Sequence, residues 1–240
     1  MMSERTLKVI SVTDETALIR RIVFAAPDGQ PMPGYTAGAH ITIEVPGIGQ
    51  RKYSLVNLAD LCGGTLSPHA YILGVRLDAQ GEGGSRFMHT LKAGDLVSIS
   101  GPANDFAVQP AAAPVLLLGG GIGITPLITM AAELRAAQRP FRMIYAARSR
   151  SEMAFLSPIT ALAGDALQLH CDDTAGGIFD IERTLAALAP DVTVYACGPK
   201  PMLKAAVGAS RKLKWPAGRL KFELFYSVAK PAMAPGGAGA

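Results

Sequence analysis

The chain has few of the residues that mark a cross-linked or metal-binding protein. It contains only three cysteines in 240 residues, and Cys62, Cys171 and Cys197 are far apart. This spacing argues against a disulfide framework and against a zinc site or an iron–sulfur cluster held by this chain alone. No apolar run reaches the length that spans a bilayer, and the first residues lack the apolar core of a signal peptide. We therefore expect a cytoplasmic protein with no bound metal and no membrane partner.

The sequence also lacks a large excess of positive or negative residues. The formal net charge is +4, and the basic residues are scattered rather than arranged in a stripe. The sequence therefore gives no indication of nucleic-acid binding. The densest basic stretch lies at residues 211–221, and we interpret it first as a solvated surface and second as a contact with an acidic protein partner.

The first 108 residues have a pattern typical of antiparallel β-structure. Short apolar or alternating runs are separated by turn clusters such as PDG at 27–29 and AGD at 93–95. Six strands at this spacing predict a small antiparallel barrel, with one helix over 85–91. The predicted strands span residues 7–12, 18–24, 40–45, 52–56, 70–76 and 96–100.

The pattern changes to alternating strands and helices after a linker at 109–114. Strands are predicted at 115–118, 141–146, 167–170, 192–196 and 220–225, and helices at 126–137, 157–162, 181–188 and 200–211. Such alternation predicts a parallel sheet with helices on both faces. The expected fold class is β + α/β, with a barrel domain at 1–108, an α/β domain at 109–227 and a disordered tail at 228–240.

The segment VLLLGGGIGITP at 115–126 predicts an anion site. Its apolar start is a short buried strand, and the glycines that follow let the backbone lie directly against a ligand. Thr125 is a good N-cap and Pro126 fits the first helical position, so a helix N-terminus with free N–H groups follows. This arrangement suits the pyrophosphate of a dinucleotide. The spacing completes neither a Rossmann fingerprint nor a P-loop, so a purely structural turn is the alternative.

A second anion site is predicted in the barrel half. The glycines of GGS at 83–85 precede a short helix, which again offers free N–H groups and a hydroxyl cap. Arg51 has a guanidinium that suits a phosphate. Tyr53 offers an aromatic face, and Ser54 offers a donor for a ring nitrogen. The alternative is an ordinary strand charge, a core tyrosine and a plain glycine turn.

Four motifs in this order resemble those of the ferredoxin–NADP reductase superfamily. They are Arg51-x-Tyr53-Ser54, Gly83-Gly84-Ser85, GGGIGITP at 119–126 and Cys197-Gly198-Pro199 with Met202. The resemblance covers residues 5–226. Within the superfamily the chain is most similar to the phthalate dioxygenase reductase branch, which includes the vanillate demethylase reductases, through RKYSLVN, GEGGSRFMH and ISGPANDF. That branch binds FMN where most of the superfamily binds FAD, so the resemblance implies FMN.

The resemblance assigns roles to individual residues of this chain. It implies Arg51 at the flavin phosphate, Tyr53 against the isoalloxazine ring and Ser54 near its N5 atom. The other residues implied for the flavin are Val75, Arg76, Gly83, Gly84, Ser85, Phe222 and Phe225, the last packed beside the ring. Those implied for the nicotinamide dinucleotide are Gly120, Gly121, Gly123, Ile124, Thr125, Pro126, Cys197, Gly198, Pro199 and Met202.

Three of these residues, Ser54, Cys197 and Phe225, are the candidate catalytic residues. Cys197 is expected beside the nicotinamide, where the hydride leaves; its alternative role is that of a small buried hydrophobe. No general acid or base is required, because the cofactors carry the hydride chemistry and the protein positions them.

The choice between NADH and NADPH depends on the residues after the second strand of the α/β domain. An acidic residue there favours a ribose 2′-hydroxyl, whereas an arginine can accept a 2′-phosphate. This chain has Arg148, Ser149 and Arg150. The arginines favour NADPH, the resemblance favours NADH, and a third interpretation is that both arginines are only solvated.

The resemblance implies a six-stranded flavin-binding barrel followed by an NAD(P)-binding domain, in which NAD(P)H gives a hydride to FMN. Phthalate-type reductases continue into a [2Fe–2S] domain with closely spaced cysteines, a spacing that this sequence does not contain. We expect either that this domain is a separate chain or that the sequence lacks it, so the acceptor is a separate ferredoxin or oxygenase component. The alternatives are a free flavin or ferric reductase and a catalytically silent structural subunit of an oxygenase complex.

Overall fold

A computed structural model describes residues 4–56 and 69–225 of the chain. The tail predicted from residue 228 and Cys62 lie outside the described residues. Among the described residues, none of the helices combines the length and the apolar character needed to cross a bilayer.

The first half forms the antiparallel sheet that the strand pattern predicts. Its strands run in the order β4-β3-β6-β1-β2-β5, with every described neighbour antiparallel. Leu55, just after β4, bridges to Leu73 in β5, which joins the two edge strands and closes the sheet. The elements are β1 (Glu4–Asp14), β2 (Ile19–Ala25), β3 (His40–Val45), β4 (Gly49–Ser54), β5 (Tyr71–Arg76), α1 (Gly84–Thr90) and β6 (Leu96–Ala103).

Alternation along the barrel strands decides which side chains fill its interior. Ile41, Ile43 and Val45 of β3 are fully buried in one apolar cluster with residues of the other barrel strands. Because successive strand side chains point to opposite faces, His40 and Thr42 lie on the outer face. Both are nevertheless buried, so another part of the molecule covers this outer face.

The second half is a five-stranded sheet in the order β11-β10-β7-β8-β9, and all its neighbours are parallel. Separate apolar clusters cover its two faces, as the alternation of strands and helices predicts. The elements are β7 (Val115–Gly120), α2 (Ile124–Ala136), β8 (Phe141–Ala147), α3 (Leu156–Ala163), β9 (Leu167–Cys171), α4 (Asp172–Ala175), α5 (Ile181–Ala186), β10 (Thr193–Cys197), α6 (Lys200–Lys212) and β11 (Leu220–Glu223).

Two boundaries near the predicted site differ from the sequence-based expectation. Helix α2 begins at Ile124, so the prediction that Thr125 is the N-cap is wrong. A single 3-10 turn over Gly121–Gly123 leads directly into the helix, and the Thr125 hydroxyl donates to the Ile122 carbonyl at 3.0 Å. The last strand ends at Glu223 rather than at Phe225.

The two halves share a hydrophobic core. Ile19 and Ile72 of the barrel belong to the same buried cluster as residues of α2 and α3. The Gly38 amide of the barrel donates to Thr129 Oγ1 in α2 at 2.9 Å. A Cβ atom on Gly74 would lie 2.7 Å from Cε2 of Phe155, so the barrel backbone packs directly on that ring. The division of the chain at residue 108 stays a prediction.

Candidate functional site

The strand order of the parallel sheet marks one crevice as the place for a ligand. From β7 the chain adds β8 and β9 on one side of the sheet and then crosses over to add β10 and β11 on the other side, so the strand order reverses at β7. Ligands of open α/β sheets bind outside the carboxyl ends of the strands at such a switch point. Cys197 ends β10 directly opposite Gly119 of β7. The glycine turn and the Cys-Gly-Pro motif therefore meet at this crevice.

Glycine is required where these two motifs touch. A Cβ atom on Gly123 would overlap the carbonyl group of Cys197, and one on Gly198 would lie 3.1 Å from the Gly120 amide nitrogen. A Cβ atom on Gly120 would lie 2.8 Å from Cδ of Pro199 and would overlap Sδ of Met202. The structure thus brings these predicted nucleotide-site residues into direct backbone contact.

The turn also has an open side. Gly121 has φ +51, and a Cβ atom on it would meet no described atom within 4 Å. Ile124, Thr125 and Pro126 are buried in the first turn of α2, so their side chains do not line the open side of the turn. Pro126 has no N–H group, and the Ile124 N–H donates to the Gly121 and Ile122 carbonyls. Direct contact of these three residues with a ligand therefore stays a prediction.

The Cys197 thiol is fully buried, and burial is the main reason that its pKa lies well above the usual value. The nearby Glu223 carboxylate raises the thiol pKa further. A thiol held protonated in this way is not a nucleophile at neutral pH. Cys197 is therefore suited to packing beside a planar ring rather than to covalent chemistry.

Glu223 is a site residue that the sequence analysis missed. It stands opposite Cys197 in the pairing of β10 with β11, and the Ser54 hydroxyl of the barrel donates a hydrogen bond to its carboxylate. Its Oε2 atom is buried and has no hydrogen-bond partner within the part of the chain that the structure describes. The sequence signal that could have identified Glu223 is that it is the single acid in the otherwise apolar and basic stretch LKFELF.

Burial raises the pKa of Glu223 from 4.5 to about 7, and the charge of Asp105 adds to this effect. The charge of Lys52 and the Ser54 hydrogen bond act in the opposite direction. A carboxyl group with this pKa can take up or release a proton near neutral pH. It connects Ser54 of the barrel with Cys197 of the parallel sheet.

His40 is a buried polar residue that lies beside Ser54 on the outer face of the barrel. The two are directly opposite each other in the β3–β4 pairing, so their side chains share the outer face of the barrel. His40 is 3% exposed, and its Nδ1 atom has no hydrogen-bond partner among residues 4–56 and 69–225. Burial and the charge of Lys52 lower its pKa, so the ring is neutral at pH 7.

The predicted phosphate site of the barrel is assembled around Arg51. A Cβ atom on Gly84 would lie 2.8 Å from Cγ of Arg51 and 3.3 Å from the Tyr53 hydroxyl, so these three residues are adjacent. The Arg51 guanidinium lies 2.5 Å from the Glu82 carboxylate in the glycine turn and donates to the Gln50 carbonyl at 2.8 Å. Burial raises the pKa of Tyr53 to about 12, so its hydroxyl remains a hydrogen-bond donor at neutral pH.

Several other predicted flavin residues have different surroundings. The Ser85 hydroxyl accepts from the Asp78 amide at 3.0 Å, so it holds the preceding turn together. Val75 is buried in the barrel core, and Arg76 is half-buried at the end of β5. Phe222 is 44% exposed and points to the face opposite Glu223, away from Ser54. Phe225, 39% exposed, follows the end of β11.

The segment predicted to select the nucleotide lies beside two acids that directly follow the next strand, at the start of α4. Arg148 and Arg150 are exposed, and the Ser149 and Ser151 hydroxyls are 2.9 Å apart. The Asp173 amide donates to the Arg148 carbonyl at 3.0 Å. Asp172 and Asp173, which the sequence analysis did not single out, therefore stand at the same edge as the two arginines.

Comparison with known proteins identifies the family. No family model matches the chain. A toluene-4-sulfonate monooxygenase system reductase subunit from Comamonas testosteroni is 38% identical over 206 residues, which are 85% of this chain and 63% of that protein. The chain thus spans less than two thirds of that relative's length. The carnitine monooxygenase reductase subunit of Escherichia coli is 33% identical over 221 residues, 91% of this chain and 68% of that protein.

A solved structure has the same architecture. Phthalate dioxygenase reductase, described as a modular structure for electron transfer from pyridine nucleotides to [2Fe–2S], superimposes with a TM-score of 0.81 and 31% identity. The match covers 96% of this chain and 70% of that one. The chain belongs to the phthalate dioxygenase reductase family of the ferredoxin–NADP reductase superfamily.

Proposed function

We propose that the protein is an electron-transfer reductase that takes a hydride from NADH onto FMN and passes single electrons to a separate iron–sulfur or oxygenase component. The observation that carries the proposal is the junction of Ser54, Glu223 and Cys197. It joins the predicted flavin face of the barrel to the switch point of the parallel sheet. The relatives named above are reductase subunits of oxygenase systems, which supports the same function.

The residues of the barrel suit a flavin mononucleotide. Arg51 offers a guanidinium to a phosphate, and Gly83, with φ +97, leaves the backbone of the turn uncovered by a side chain. Tyr53 offers a ring face and a protonated hydroxyl. The Oε2 atom of Glu223, which has no hydrogen-bond partner among the residues that the structure describes, offers a polar contact to the flavin. When bound, the flavin supplies the chemistry that converts a hydride into two single electrons.

The chain's own residues position the reactants and handle a proton. The glycines of the β7–α2 turn allow a pyrophosphate to lie against free N–H groups. Cys197 fills the space between the two motifs without reacting, because its thiol stays protonated. Glu223 can take up or release a proton near neutral pH, since its pKa of about 7 allows both protonation states, and the Ser54 hydroxyl orients its carboxylate by donating a hydrogen bond to it.

Asp172 and Asp173 favour NADH over NADPH. A 2′-phosphate at the carboxyl ends of β8 and β9 would meet two carboxylates, and neighbouring like charges repel. A ribose 2′-hydroxyl can instead donate to a carboxylate. The exposed Arg148 and Arg150 reduce the repulsion without removing it, because neither forms a described ion pair with the two acids.

The test begins with release of the flavin from the purified protein by heat and its identification by chromatography. The reconstituted protein is then titrated anaerobically with NADH and with NADPH, and single-electron transfer is assayed with cytochrome c, with and without an added ferredoxin. The proposal predicts FMN, bleaching by NADH at lower concentrations than by NADPH, and cytochrome c reduction that depends on the ferredoxin. A protein that binds no flavin would contradict it.

A further inference from the structure

His170 has a set of contacts that the proposed function does not yet use. It lies on β9, and its Nε2 atom is 3.0 Å from the Gly177 carbonyl and 3.2 Å from an oxygen of Asp172. Its ring packs edge-on against Phe179, with centroids 5.2 Å apart. Side-chain exposure of His170 is 17%, so these contacts are largely protected from water. One side chain thus holds the strand, the acid after it and the following loop.

The two partners fix the state of this ring. The Gly177 carbonyl is an acceptor, so the Nε2 atom carries a proton and donates to it, and the Asp172 carboxylate lies 3.2 Å from the same atom. The carboxylate of Asp172 is thereby turned toward His170. The loop at 176–179 is held at both Gly177 and Phe179, and it presents Ile178 with 85% of its surface exposed.

The sheet order places this assembly where the adenosine half of a dinucleotide belongs. The glycine turn follows β7, and the site for the nicotinamide lies on the side of β10, at Cys197. The other half of the ligand must then extend over the carboxyl ends of β8 and β9. Strands two positions apart are separated by about 10 Å, which is within reach of an adenosine attached to a pyrophosphate at β7.

We propose that His170 is a positioning residue for the adenosine half of the dinucleotide: its bridge between Asp172 and Gly177 holds the acid and the loop that this half contacts. The inference rests on the proposed function and adds a residue and a subsite to it. His170 makes no contact with the reacting atoms. Its loss should therefore weaken nucleotide binding and leave the hydride step unchanged.

The test compares NADH with reduced nicotinamide mononucleotide, which lacks the adenosine half. The variants are His170→Asn, whose amide nitrogen reaches only about as far as Nδ1, and His170→Gln, whose amide nitrogen reaches about as far as Nε2. We expect His170→Asn to raise the KM for NADH roughly tenfold with kcat unchanged, because the hydrogen bond to Gly177 and the contact with the Asp172 carboxylate are both lost. The KM for the mononucleotide should stay at its wild-type value, and His170→Gln should restore the KM for NADH.

A matched control is His89→Asn, which alters a histidine whose Nε2 also contacts a carbonyl, that of Val75 at 2.9 Å. It should leave the KM for NADH unchanged. An equal rise in KM for both nucleotides in His170→Asn would overturn the inference, as would an unchanged KM for NADH or a failure of glutamine to restore it. Wild-type protein that neither nucleotide reduces would instead overturn the proposed function itself.

Discussion

Replacing Glu223 with glutamine should change how the stability of the protein depends on pH. In the folded protein, burial raises the pKa of this carboxyl from 4.5 to about 7. In the unfolded chain the group regains its ordinary pKa. Between these two values the folded state holds a proton that the unfolded state has released, so the free energy of unfolding falls as the pH rises. Above about pH 7 the loss is complete and constant.

The size of the effect follows from the two pKa values. A tenfold change in proton affinity is worth about 1.4 kcal/mol, so the difference between 4.5 and about 7 corresponds to roughly 3 kcal/mol. Glutamine has nearly the same shape and stays neutral at every pH. We therefore expect Glu223→Gln to match the wild type near pH 4.5 and to be more stable by up to about 3 kcal/mol near pH 8.

The assay is urea unfolding of both proteins at several pH values, on samples with and without flavin. The difference between the two free energies of unfolding isolates Glu223, because the other groups titrate in both proteins. Glu44→Gln is the control, since Glu44 is an exposed carboxylate of the same barrel. The difference in free energy of unfolding between this variant and the wild type should not change with pH. Two results for Glu223→Gln would refute the reasoning. One is a difference in free energy of unfolding from the wild type that does not change with pH, and the other is a variant that becomes less stable relative to the wild type as the pH rises.

Three further substitutions test other parts of the site. Gly123→Ala should abolish bleaching of the flavin by NADH at ordinary concentrations, because the added Cβ overlaps the Cys197 carbonyl. The flavin should stay bound. Flavin reduction at the wild-type rate would contradict the packing of Gly123 against Cys197. Arg51→Gln should weaken FMN binding roughly tenfold or more in a fluorescence titration, with riboflavin binding unchanged, and an equal loss for both flavins would exclude a phosphate contact. Asp173→Asn should lower the ratio of kcat/KM for NADH to kcat/KM for NADPH about tenfold, chiefly because kcat/KM for NADPH rises. An unchanged ratio would show that Asp173 does not select the nucleotide.

Local sequence patterns predicted most of the architecture. Strand β3 occupies residues 40–45, as its apolar alternation predicts, because every second side chain enters the barrel. The alternation of strands and helices in the second half likewise predicted the parallel sheet. The start of α2 was predicted late, because a 3-10 turn at Gly121–Gly123 cannot be distinguished from a loop by its composition.

The site was predicted in its motifs but not in its connections. Gly120, Gly123 and Cys197 were identified as residues of one site, and the structure brings them together. Glu223 was missed because its role depends on contact with Ser54, which lies far away in the sequence. Asp173 was missed for a related reason: its backbone meets that of Arg148 only because β8 and β9 are neighbours in the sheet.

The central claim is that a nucleotide at the β7–α2 turn and a flavin on the barrel react across the Ser54–Glu223–Cys197 junction. Its most direct test is an anaerobic titration of the flavin-loaded protein with NADH, followed by the visible absorbance of the flavin. The account predicts complete bleaching in proportion to the NADH added, and no bleaching at the same concentrations in Gly123→Ala. Flavin that stays oxidised in the wild type, or that is bleached equally in the variant, would contradict it.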